Sequence, residues 1–166
     1  MFIQIILFLQ SNIIIMNVLK VGDNAPDFSC KNQNGKIINL SDMIGKKIVL
    51  FFYPKANTPG CTAEACNLND NYNRFKSLGY EVIGVSADSE KVQKNFSDKF
   101  SFVYNLLCDE DKKIILSYGA WGQKKMYGKE YMGIIRKTII IDESGKIEQI
   151  IEKVKTKEHS SQILEE

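Results

Sequence analysis

The pattern of apolar and polar positions changes period several times along the chain. Lys47–Tyr53 carries Ile-Val-Leu-Phe-Phe, a continuous apolar run suited to a strand buried on both faces, and Pro54 ends it. Tyr80–Ala87 is a second such strand. Between them Ala65, Leu68, Tyr72, Phe75 and Leu78 recur at helical spacing, which predicts one helix over Pro59–Leu78 that Gly79 terminates. Upstream, Phe28–Lys31 and Ile37–Leu40 flank Asn34-Gly35 as a hairpin would, and Ser41-Asp42 offers an N-cap for a short helix ending near Gly45. Downstream, Ser89 caps a helix running to about Phe100, Asn105–Cys108 is a brief strand, and Asp111–Tyr118 is a short helix that stops at Gly119. Ile135–Asp142 and Lys146–Val154 form two strands around Glu143-Ser144-Gly145, and the tail from Thr156 onward is a final short helix.

Buried strands alternating with helices, closed by a terminal hairpin, imply an α/β fold of three layers with a central mixed β-sheet flanked by helices. The order of elements resembles that of thioredoxin, and function has to be argued from the site. Residues 16–166 are expected to form a single thioredoxin-like domain. Residues 1–15 are an apolar N-terminal extension that lacks the basic residues before it and the small-residue cleavage site after it that a signal peptide carries. The stretch falls short of the roughly 20 residues of a membrane span, and Gln4 and Gln10 interrupt it. It is either a stretch upstream of the working start at Met16 or a weak anchor.

The chain has 22 basic and 20 acidic residues, so its charge gives no argument for nucleic acid or an acidic membrane as partner. Four cysteines, Cys30, Cys61, Cys66 and Cys108, accompany one histidine, His159, in the tail. A chain this apolar needs no disulfide framework, and C-x4-C with isolated Cys30 and Cys108 fits structural zinc poorly. No metal or cofactor is expected. The pattern suits redox chemistry in a reducing, cytoplasmic compartment, with Cys30 and Cys108 as small core fillers. Gly122 to Lys129 superficially resembles a phosphate loop, but one residue too many separates the glycines and no Ser or Thr follows the lysine.

The informative stretch runs from Phe52 through Thr58-Pro59-Gly60-Cys61-Thr62-Ala63-Glu64-Ala65-Cys66. A buried strand ends, a turn follows, and Cys61 falls in the first turn of the next helix. Free N–H groups and the positive end of the helix dipole gather there and favour a thiolate. Cys66 follows on the same helix. Five residues of helix advance about 500°, so the two side chains diverge by about 140° and their Cα atoms lie beyond about 7 Å. A disulfide between them requires the first turns of the helix to unfold locally, as helix ends readily do. A core cysteine with no redox part is the other reading of Cys66.

Thr-Pro-Gly-Cys-Thr-Ala-Glu resembles the peroxidatic motif of the peroxiredoxins. The chain is similar to their bacterioferritin-comigratory, or peroxiredoxin Q, branch from about Val18 to its end. The likeness includes Gly22-Asp23-Asn24-Ala25-Pro26-Asp27-Phe28, Phe52-Tyr53-Pro54-Lys55, Gly119-Ala120-Trp121-Gly122, Gly128-Lys129 and Gly133-Ile134-Ile135-Arg136. The resemblance implies that Cys61 is the peroxidatic cysteine and Cys66 the resolving one. It makes Thr58 the threonine that contacts thiolate and peroxide, and Pro59, beside Gly60, the shield against water. Arg136, on the strand after Gly133, becomes the arginine that pairs with the thiolate and orients the peroxide. Glu64 matches the motif glutamate, although a helix-start acid favoured by the dipole explains it almost as well.

The implied activity is reduction of hydrogen peroxide and organic hydroperoxides through a Cys61 sulfenic acid, with thioredoxin or a similar dithiol as reductant, in a monomer without nucleic-acid or membrane partners. Three other readings stand beside it. A thiol–disulfide oxidoreductase would use the C-x-x-C pair that the chain lacks. A redox sensor or chaperone-like binder would consume peroxide only stoichiometrically, and a zinc module would carry metal.

Overall fold

A computed structural model describes residues 18–165, so the apolar stretch 1–15 lies outside the described residues. Five strands form the central sheet, in the order β5-β4-β3-β8-β9. Here β3 is Lys47–Phe52, β4 Tyr80–Ser86, β5 Asn105–Cys108, β8 Lys137–Ile141 and β9 Ile147–Ile151. β3, β4 and β5 run parallel, while β8 lies antiparallel to β3 and β9 antiparallel to β8. The sheet is mixed, as its sequence implies, and the fold is that of thioredoxin.

The continuous apolar run of β3 is explained by burial on both faces. Ile48, Leu50 and Phe52 point into one core, which also takes Ile114 and Ile115 from α4 (Lys113–Ser117) and Tyr118 just after it. Val49, Phe51 and the following Tyr53 point into the other, where Cys61, Ala65, Leu68, Phe75, Phe96 and Ile163 meet them. Those six come from α1 (Pro59–Asp70), α2 (Tyr72–Ser77), α3 (Glu90–Phe100) and α5 (His159–Leu164). The strand that leads into Cys61 is thus clamped between two apolar layers.

The hairpin β1 (Ser29–Lys31) and β2 (Ile37–Asn39) turns at Gly35, where φ is +76°. The α3 cap is formed by Ser89 as its position suggests, its hydroxyl accepting the Val92 N–H at 3.3 Å.

Four elements depart from the sequence pattern. The helix expected over Pro59–Leu78 breaks at Asn71, and Leu78 is exposed. The run Asn69-Asp70-Asn71 favours a break, because such side chains compete for backbone groups. Asn71 Nδ2 donates to the Asn67 carbonyl at 2.9 Å. Ser41-Asp42 does not cap a helix; both lie inside a 3-10 turn over Leu40–Met43 whose cap is Asn39. α4 begins at Lys113 rather than Asp111. The stretch before β8 forms an unanticipated hairpin, β6 (Trp121–Met126) with β7 (Lys129–Ile134), which turns through Tyr127 and Gly128, both at positive φ. Its polar residues hid it, since both strands are largely exposed.

Among the described residues no helix is long and apolar enough to cross a membrane.

Candidate active site

The site begins where β3 stops. A buried polar chain fixes the loop after Pro54 from beneath. The Tyr53 hydroxyl donates to Gln93 Oε1 at 2.5 Å, and Gln93 Nε2 donates to Ser86 Oγ at 2.8 Å. The Ser86 hydroxyl donates to Asp88 at 2.7 Å, and the same carboxylate oxygen accepts the Ala56 N–H at 2.8 Å. Tyr53, Gln93 and Ser86 are fully buried, so each of these partners matters: an unpaired polar group there costs about 1–3 kcal/mol.

Thr58 is the N-cap residue of α1, in extended conformation, and Pro59 occupies the first helical position, where its missing N–H is no loss. The Thr58 hydroxyl makes no capping bond. It donates instead to the Lys55 carbonyl at 2.8 Å, so no side chain at the cap occupies the N–H groups of the first turn. Cys61 sits in that turn at only 1% exposure, beside exposed Pro59.

Arg136 reaches the sulfur from 75 positions along the chain. Its Nη2 donates to Cys61 Sγ at 3.3 Å and its Nη1 to Glu64 Oε2 at 2.5 Å. Arg136 is not within a strand, as its apolar neighbours suggested, but in the two-residue link between β7 and β8. A link bends the chain, and it lets a cation sit among isoleucines without breaking a ladder. Gly60 makes the approach feasible, since a Cβ there would stand 3.2 Å from Arg136 Nη2. Cys61, Glu64, Gly60 and Arg136 are thus together, with Thr58 and Pro59 at the rim.

Glu64 is fully buried, and burial pushes its carboxyl up to about 7 against the opposing pull of Arg136. On Arg136, burial works against the charge, but Glu64 and Cys61 outweigh it and the guanidinium is raised above its ordinary value. Cys66 lies further along α1, half-buried, its thiol held above the usual value by burial and then by the nearby Asp70. All four cysteines are free thiols.

Cys30 and Cys108 are half-buried, Cys30 packing against the core, and they line a surface cavity of about 590 Å³ that none of the residues around Cys61 borders. Burial, then Asp109, pushes the Cys30 thiol up to about 11; burial, then Cys30, pushes Cys108 up to about 12. Both are therefore poor nucleophiles near neutral pH.

Three neighbours of the site escaped the sequence reading. Lys124 of β6 donates to the Ile134 carbonyl at 2.8 Å, close enough to Arg136 and Cys61 for both to act on its charge. It lies in the Gly122–Lys129 stretch that superficially resembles a phosphate loop. His159 and Thr138 are fully buried behind Glu64, with His159 Nε2 at 3.6 Å from Glu64 Oε1. A histidine near the end of a chain carries no signal of burial, and only tertiary packing of α5 on α1 reveals it.

Comparison with known proteins shows the family of the chain. The AhpC/TSA family model matches residues 21–150. Peroxiredoxin Bcp of Escherichia coli is 43% identical over 149 residues, covering 90% of this chain and 96% of that protein. Peroxiredoxin Bcp of Bacillus subtilis is 42% identical over 147 residues, covering 89% and 94%. Among solved structures, a peroxiredoxin Q mutant from Xanthomonas campestris superposes with a TM-score of 0.81 at 34% identity, over 89% of this chain and 94% of that one.

Proposed function

The chain belongs to the AhpC/TSA family and is a thiol peroxidase of the peroxiredoxin kind, and from that premise we propose that Cys61 is its peroxidatic cysteine, Cys66 its resolving cysteine and thioredoxin or a similar dithiol its reductant. The observation that carries the reading is the 3.3 Å contact between Arg136 and a sulfur in the first turn of a helix.

The cycle starts with the Cys61 thiolate attacking one peroxide oxygen in line with the O–O bond. The S–O bond forms as the O–O bond breaks, the leaving oxygen takes a proton to become water or an alcohol, and Cys61 becomes a sulfenic acid. An ordinary cysteine, with pKa about 8.5, is already roughly 3% thiolate at pH 7, so complete ionisation is worth at most about 30-fold. Further acceleration comes from donors aimed at the charge that moves across the breaking bond. Arg136 Nη2 and the first-turn N–H groups are placed for this. Thr58, whose proton is committed to Lys55, offers lone pairs to accept a peroxide hydrogen.

The buried position of Cys61 also explains why a second cysteine is needed. At 1% exposure the sulfur is out of reach of a protein dithiol. Cys66 is half-buried, and unwinding the segment from Cys61 to Cys66 brings both into solvent, relieves the burial that disfavours the Cys66 thiolate, and lets it displace water from the sulfenic sulfur. The disulfide formed then accepts two electrons from the external dithiol.

Unwinding must break the Tyr104 hydroxyl's bond to the Ala65 carbonyl, 2.7 Å long and buried. Tyr104→Phe is expected to lower stability by about 1 kcal/mol and to speed disulfide closure by about fivefold, if the bond is lost in the open state and kept in the closed one. Rapid-quench measurement of Cys61–Cys66 closure checks this, and an unchanged closure rate would show that this part of α1 does not open.

The test of the whole reading is peroxide consumption by the full chain with thioredoxin, thioredoxin reductase and a reduced nicotinamide. Many turnovers per chain are expected. Loss of one peroxide per chain and no more would favour a sensor, and thioredoxin-independent disulfide reduction an oxidoreductase.

A further inference from the structure

We propose that Glu64 and His159 hold one proton between them behind Arg136, and that this proton decides how much of the guanidinium charge is available to Cys61 and its peroxide. The inference rests on the assignment of Cys61 and Arg136 above. It assigns His159, and the buried edge of Glu64, a positioning role in the reaction.

The argument starts from one unpaired atom. Glu64 Oε1 is buried and has no hydrogen-bond partner, whereas Oε2 is held by Arg136. His159 Nε2 stands 3.6 Å from it. The state of that nitrogen follows from Gln162. Gln162 Oε1 accepts the Lys155 N–H at 3.0 Å and its Nε2 donates to the Lys153 carbonyl at 2.8 Å, which fixes the amide's orientation. His159 Nδ1 lies 2.9 Å from the same Oε1, so it must be the protonated nitrogen. In neutral His159 the bare nitrogen is therefore Nε2, which receives the Thr138 hydroxyl at 2.7 Å and faces Glu64.

An ionised Glu64 would then aim a bare carboxylate oxygen at a bare imidazole nitrogen in a space closed to water. A single proton relieves this. On Oε1 it makes a neutral carboxyl; on Nε2 it makes an imidazolium shared by Thr138 and Glu64. Both residues are fully buried, and burial favours the neutral pair. The electrostatics agree in direction. Burial pushes Glu64 up to about 7, and burial, aided by Arg136 against the Gln162 bond, pulls His159 down to about 4. Among the described residues, Arg136 and Tyr104, whose hydroxyl stays protonated, are the other ionisable groups that act on the pair, with Cys61 and Lys124 beyond Arg136.

The consequence for the reaction follows from charge. With the proton on Glu64, Arg136 faces one anion, the thiolate. Above about pH 7 Glu64 ionises, the same guanidinium serves two anions, and less of its charge is left for oxygen atoms gaining electrons. The rate of sulfenic acid formation should rise with thiolate ionisation and then fall by about threefold or more as Glu64 loses its proton.

His159 is the single histidine of the chain, so its ring nitrogens can be followed by NMR without ambiguity. In the wild-type chain between pH 5 and 8, the ring should remain a neutral Nδ1–H tautomer, and its Nε2 signal should shift with a midpoint near 7, tracking Glu64. In E64Q that shift should vanish, together with the descending limb of the single-turnover rate. In His159→Gln a permanent amide donor reaches Oε1, ionised Glu64 is stabilised, and the descending limb should move to lower pH. A merely structural role for His159 would leave the limb in place. Ordinary titration of His159 near pH 6.5, or a Nε2–H tautomer in the wild-type chain, would overturn the proposal while leaving Cys61 chemistry intact. The NMR measurement does not depend on any variant folding.

Discussion

Arg136→Ala should slow single-turnover peroxide reduction by about 10²–10³-fold, with the loss in thiolate ionisation accounting for the smaller part. The limit set by ionisation is the reason. At pH 7 the most that a fully protonation-based mechanism can lose is about 30-fold, because an ordinary thiol is still a few per cent ionised. Arg136 is the only side chain that donates to Cys61 Sγ among the described residues, and in the proposed cycle the same group meets the peroxide oxygens. Stability should also fall. The substitution leaves both oxygens of Glu64 buried without a donor, a situation Glu64 resolves by staying protonated. Because the Arg136 side chain is about a quarter exposed, breaking this pair should cost less than the 3–5 kcal/mol of a wholly buried one. Stopped-flow rates set against the thiolate absorbance of the same variant check the result. Equal losses in rate and in thiolate fraction would remove the electrostatic role.

Cys66→Ser should abolish turnover with thioredoxin, to less than about 1% of the wild-type rate, while the first round of peroxide reduction keeps its rate within about twofold. The difference arises because Cys66 takes no part in O–O cleavage and sits further along α1, away from the Arg136 contact. After that first round the sulfenic acid on Cys61 is shielded at 1% exposure from any protein reductant. The trapped species should accumulate and react with a small sulfenic-acid reagent. Undiminished thioredoxin-driven turnover would show that another group resolves Cys61. Cys30 and Cys108 are poor candidates, since burial holds both thiols protonated.

The legible part of this protein was what local chemistry dictates. The double-sided apolar run of β3, the turn at Asn34-Gly35, the Ser89 cap and the helix opened by Pro59 each follow from residues within a few positions of one another. Cys61 was legible for the same reason, being placed by a strand end and a helix start adjacent in sequence. The break at Asn71 was missed because apolar spacing continued across it, while Asn69-Asp70-Asn71 diverted backbone groups. The β6–β7 hairpin was missed because its strands are exposed and lack the apolar run that marks a buried strand.

What sequence could not place was the wall of the site opposite Cys61. Arg136 lies 75 positions from Cys61, and its pairing with Glu64 is visible only once β8 is seated beside β3. His159 is more distant still. Its burial depends on α5 folding back on α1, fixed by the Ser160 N–H on Asn67 Oδ1 at 2.7 Å and the Asn67 amide on the Lys157 carbonyl at 3.1 Å. None of these residue types announces such a contact. The resemblance to the peroxiredoxins supplied Arg136 and Glu64 but gave no hint of the histidine behind them.

The most direct measurement is a mass map of the cysteines after the reduced chain meets one equivalent of hydroperoxide and is quenched at successive times with an alkylating reagent. The account predicts oxygen on Cys61 first, then a Cys61–Cys66 disulfide at the same stoichiometry, with Cys30 and Cys108 unoxidised throughout. Oxidation that settles on Cys30 or Cys108 while Cys61 stays a free thiol would contradict it.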